Sequence, residues 1–87
     1  MYEEKINEII QNIKNEIVFD KSELSRVRKE KNRIKKCMKE NQELEINNKE
    51  LDIELLIRED KIINIKEKIS NKKKAIYRLN KAIDLLK

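Results

Sequence analysis

Apolar residues in the first half of the chain recur at alternating steps of four and three. Ile6, Ile10, Ile13, Ile17, Leu24, Val27, Ile34 and Met38 form one seam, interrupted at Asp20 and Lys31. A second seam runs through Leu51, Leu55, Ile62, Ile65, Ile69, Ile76, Leu79, Ile83 and Leu86, interrupted at Arg58 and Lys72. This spacing lays side chains along one stripe of an α-helix and is the mark of a coiled coil. The two seams do not share a frame. Carried through Asn41, Leu44 and Asn48, the first meets the second one spacing short, a stammer if the helix runs straight on.

A chain that doubles back needs no such adjustment. Reflected about a point between Leu44 and Glu45, Ile6 meets Ile83, Ile10 meets Leu79, Ile13 meets Ile76, and Leu24 meets Ile65. Val27 then meets Ile62, Ile34 meets Leu55, and Met38 meets Leu51. Polar interruptions coincide as well: Lys31 falls opposite Arg58, and Asn41 opposite Asn48. Two cations can share a layer only if their stems lie along the seam and their heads reach Glu30, Glu59 or Asp60.

These patterns predict an all-α fold, a long antiparallel two-helix coiled-coil hairpin dimerising into a helical bundle. The alternative is one continuous helix in an antiparallel coiled-coil dimer. The chain reads as a single domain over residues 1–87, with helix one over about 2–42, a turn over about 42–47 and helix two over about 47–86. Such a hairpin is roughly 60 Å long, against roughly 130 Å for an unbroken helix. Within Ile46–Leu51, Asn47 reads as an N-cap, Glu50 as its capping-box partner, and Ile46 with Leu51 as a hydrophobic staple. Asn also suits the left-handed conformation that ends a helix. A similar box, with Asp20 as cap and Phe19 against Leu24, marks a possible break near Asp20.

Composition supports helix. The 87 residues contain no glycine and no proline, and 45% are charged. Charge is distributed in blocks, with net −3 over 1–20, +7 over 21–39, −6 over 40–60 and +7 over 61–87. A parallel dimer would set each block against its own copy, whereas antiparallel pairing sets unlike blocks together. Five further apolar residues, Ile46, Ile53, Leu56, Ile57 and Ile63, lie outside the main seam of helix two. They form either a wide core face or a docking stripe, and both need covering by a second copy or a larger protein partner.

Recognisable chemistry is missing. Histidine is absent and Cys37 is the only cysteine, which excludes an intrachain disulfide and a cysteine-cluster metal site. Phosphate loops and nucleophile elbows require glycine. Neither an enzyme nor a cofactor is expected. No stretch approaches the roughly 18 apolar residues of a membrane span. Met1-Tyr2-Glu3-Glu4 lacks the layout of a signal peptide, so a cytoplasmic protein without a membrane partner is expected. Abundant Ile, Lys and Asn suits an AT-rich genome, such as a low-GC bacterium or its phage.

One segment invites a second reading. Between Arg26 and Lys39, eight of fourteen residues are basic and one is acidic: Arg26, Arg28, Lys29, Lys31, Arg33, Lys35, Lys36 and Lys39 are candidate contacts for nucleic acid or an acidic partner. Lys72, Lys73 and Lys74 form a smaller cluster. A basic helix leading into Leu44, Asn48 and Leu51 resembles a basic-region leucine zipper over roughly Arg26–Ile65. It departs from that family where Lys35 and Lys36 follow Asn32, and where Arg58 takes a zipper position. Glu50-Leu51-Asp52 is similar to part of the Ser-Gln-Glu-Leu-Asp signature of a family of sporulation phosphatases that are small helical hairpins. The expected function is a non-enzymatic coiled-coil interaction module, an adaptor, scaffold or inhibitor of a larger assembly. A sequence-tolerant nucleic-acid-binding protein is the alternative.

Overall fold

A computed structural model of the protein describes residues 1–87, which form two helices, α1 (Tyr2–Glu43) and α2 (Lys49–Leu86). They pack along their length as an antiparallel hairpin measuring 66 × 14 × 13 Å. The chain therefore doubles back, the arrangement that joins the mismatched seams without a stammer. Glu3 and Glu4 in the first turn of α1, and Glu50 and Asp52 in that of α2, face the positive ends of the helix dipoles.

The helix α1 runs unbroken through Asp20, contrary to the possible break there. Asp20 does not cap a new helix, because its side chain is buried in the seam and bound to Lys72. Phe19 does not staple onto Leu24; it is exposed while Leu24 is buried.

The turn also differs from expectation in detail. Glu45, not an asparagine, takes the left-handed conformation, with φ 58°. Its N–H donates to the Gln42 carbonyl at 3.2 Å, and the Ile46 N–H reaches back to the Asn41 carbonyl at 2.8 Å. Those two bonds satisfy carbonyls that the end of α1 leaves free. The second helix starts two residues later than expected, at Lys49, with Asn48 at its N-cap position. Asn47 lies just outside the helix, where its Oδ1 accepts the Lys49 N–H at 2.9 Å. Asn48 turns its side chain across the hairpin, donating from Nδ2 to the Met38 carbonyl at 3.0 Å. That cross-link uses the Asn48 layer to fasten α2 to the last turns of α1.

Every residue of both seams from Ile6 to Ile83 is buried or half-buried. The densest part is a cluster of Ile17, Leu24, Val27, Ile62, Ile65 and Ile69, with Ile13 and Ile76 against its edge. Val27 at its centre has no exposed surface. Each such side chain contributes roughly 1.5–3 kcal/mol by leaving water. The Lys31–Arg58 layer is resolved by acids on both helices. Lys31 Nζ lies 3.8 Å from Glu59 Oε1, and Arg58 Nε 3.4 Å from Glu30 Oε2. Each cation thus crosses the seam to the acid beside the other.

Candidate interaction surfaces

The main seam uses one face of α2 and leaves the opposite face to solvent. Successive residues on an α-helix turn by about 100°, so Ile53 and Ile57 lie across the helix from Leu51, Leu55 and Ile62. Ile53, Leu56, Ile57 and Ile63 are each more than half exposed, and Ile46 in the turn is equally open. Of the two readings open to the sequence, a wide core face is excluded within this hairpin: none of the five joins the core. Glu50, Asp60 and Glu67 share this outer face. Further along α2 the same face carries Lys74, Tyr77, Lys81 and Leu85, and its character turns basic. Tyr77 is 62% exposed, with Lys81 Nζ 4.9 Å from its ring centre. The apolar stripe is therefore the acidic half of a longer face whose other half is cationic and aromatic.

The basic segment lies on α1. Arg26 is held by Glu23 and Glu30, with Nη1 2.7 Å from Glu30 Oε1, and Lys31 is engaged with Glu59. Arg28, Lys29, Arg33, Lys35, Lys36 and Lys39 are exposed and form no ion pair. The acids of residues 40–60 do not neutralise them. Glu54 engages Arg58 on its own helix, and Lys61 of α2 reaches across to Glu23 at 3.9 Å. Lys21, Arg28 and Lys29 also border a shallow groove of about 540 Å³, whose α2 side is formed by Ile69 and Lys73. Folding thus brings the smaller Lys72–Lys74 cluster next to the larger one, with no acid in the lining. Of that cluster Lys72 faces inward, toward Asp20.

The Asp20–Lys72 pair was not legible as a pair. Asp20 is 6% exposed and its Oδ2 lies 2.5 Å from Lys72 Nζ. Reflection about Leu44–Glu45 sets Asp20 against Ile69 and Ile17 against Lys72. The long lysine side chain spans the offset of one layer. Opposite charges at two interruptions in neighbouring layers were the available signal. Beside the turn, an open cleft of about 660 Å³ is lined by Lys35, Met38, Lys39, Asn48 and Leu55 among others. Its wall includes Asn48, whose Oδ1 is buried without a partner.

No family model matches the chain, and no curated protein or solved structure is significantly similar to it. The helices are too short of continuous apolar residues to cross a membrane. Nor do three or more metal-ligating side chains gather at one point.

Proposed function

We propose that this chain is a non-enzymatic interaction module that works by docking the outer face of α2 onto another polypeptide. One observation carries the reading: Ile53, Leu56, Ile57 and Ile63 are exposed on a helix that already buries a complete second seam. A helix needs one apolar stripe to pack into a hairpin, and a second stripe on the opposite face costs solubility unless something covers it. Aliphatic side chains at helical spacing suit another helix, which meets them by ridges and grooves. Occupancy is then the mechanism, with no bond made or broken. Adaptor, scaffold and inhibitor are all roles that such docking serves.

The second reading, polyanion binding, rests on the six unpaired cations of the basic segment 26–39 and the acid-free groove that Lys21 and Lys73 complete. Phosphate contacts of that kind are sequence-tolerant and weaken with salt.

One experiment separates the two. A photo-reactive phenylalanine analogue is placed at Ile57 or, separately, at Arg33, and the protein is irradiated in its native cells. Docking through α2 is expected to give protein adducts from position 57 and few from position 33. Nucleic-acid adducts from position 33, with none from 57, would overturn the first reading in favour of the second.

A further inference from the structure

We infer that the occupant of the outer α2 face is a second copy of this chain, bound antiparallel through the same face about a two-fold axis crossing α2 near residues 65–67. This rests on the docking reading and names its partner. Three features point to it.

Charge on α2 is divided along the helix. Apart from Arg58, Glu59 and Lys72, which pair across the hairpin, residues 49–60 carry four acidic and one basic side chain, whereas residues 66–81 carry one acidic and six basic. Two antiparallel copies lay the acidic half of each on the basic half of the other, and two-fold symmetry makes every such contact twice. A parallel pair would set Asp60 on Asp60 and Lys74 on Lys74, so charge selects the antiparallel orientation.

Shape and hydrophobicity follow the same division. About this axis Ile53 and Leu56 of one copy come within reach of Tyr77 of the other, and Ile63 approaches the axis beside its own counterpart. Asp60 comes within one helical turn of Lys74. Tyr77 and Lys74 project from the same face as the stripe, so no side chain has to be redirected. The aromatic ring and the lysine stems give the aliphatic stripe apolar surface to cover it. Glu67 comes near its own copy, with Lys66 and Lys68 on either side to offset the repulsion.

The other faces of the molecule fit less well. Outward from the hairpin, residues 25–36 of α1 are all polar or charged apart from the buried and half-buried Val27 and Ile34. That surface has the charge to meet Glu50 and Asp60 but nothing apolar to cover Ile53 and Ile57. The exposed Val18 and Phe19 lie in the acidic part of α1, where they would face like charge.

The test is sedimentation equilibrium of the full chain over a range of concentrations, with helicity followed by circular dichroism. Wild type is expected to associate reversibly to a dimer. Asp60→Lys and Lys74→Asp, both at exposed positions, are each expected to weaken the dimer at least about tenfold without loss of helicity, since like charges then meet twice per dimer. The double variant Asp60→Lys/Lys74→Asp is expected to recover most of that loss, which identifies the residues as neighbours across the interface. A wild-type protein that stays monomeric, single variants that dimerise as well as wild type, or a double variant that shows no recovery would each overturn the inference. A monomer that still gives adducts to a different protein from position 57 overturns the second copy alone. A monomer that gives no protein adduct overturns the docking reading with it.

Discussion

At the residue scale, Glu45 occupies a position made for glycine. A φ of 58° crowds its Cβ against the backbone, at a cost of about 1–2 kcal/mol relative to a right-handed conformation. Glycine has no Cβ, although it also gives the unfolded chain more freedom. Glu45→Gly is therefore expected to stabilise the hairpin by about 1 kcal/mol, read as a higher denaturation midpoint in urea with the helical signal unchanged. A lower midpoint would mean that the glutamate side chain contributes something in the turn that its backbone geometry does not reveal. Position 45 was not legible in advance, because in a chain without glycine the asparagines at 41, 47 and 48 are the obvious left-handed candidates. Each is otherwise used: the Asn41 carbonyl receives the Ile46 N–H, the Asn47 side chain takes the Lys49 N–H, and Asn48 binds across to Met38. Competition for these hydrogen bonds, which no propensity scale contains, left the strained position to a glutamate.

Between the two elements, the polar layers decide how α1 and α2 align. Apolar heptads tolerate a shift by a whole heptad, because Ile and Leu meet again one repeat later. Asp20 and Lys72 do not tolerate it: displaced by seven residues, Ile65 or Leu79 would take the place of Lys72 and leave a buried carboxylate without its cation. Asp20→Ala is expected to cost about 1–3 kcal/mol, since Lys72 would lose its partner but is exposed enough to reach partly into water. Asp20→Leu with Lys72→Leu is expected to match or exceed wild-type stability in thermal unfolding, while two-dimensional amide NMR spectra split into more than one set of resonances. A single set of resonances from the double variant would show that the turn alone fixes the register. The heptads made the antiparallel seam legible in the sequence. They fixed the partners of Lys31 and Arg58 only to a short list of acids, because seam position is periodic and ion pairing is set by rotamers. The periodicity placed Asp20 in the seam, whereas the local box from Phe19 to Leu24 made it a cap, since a capping box is a local pattern and cannot report that the aspartate faces the opposite helix.

For the whole molecule, the same contacts can be made within one chain or between two straight chains exchanging halves, as in a domain swap. What favours the closed form is the turn. Ile46 N–H to Asn41, Glu45 N–H to Gln42 and Lys49 N–H to Asn47 all belong to a reversed chain, and a continuous helix through residues 44–48 would replace them with ordinary helical bonds. Closing so short a loop also costs less entropy than bringing two chains together at low concentration. The hairpin sets Ile6 near Ile83, at the end of the molecule away from the turn. With Cys37 replaced by serine, cysteines at positions 6 and 83 and a short bis-maleimide reagent are expected to join α1 and α2 of the same chain. The product should run as a single chain on a denaturing gel. It should do so even if outer α2 faces pair hairpins into dimers, because those dimers keep each 6–83 pair within one protomer. Double-length product as the main species, persisting on dilution, would show instead that halves are exchanged. The outer stripe would then line a rod of two straight helices, and the proposed interface would have to be sought on that rod.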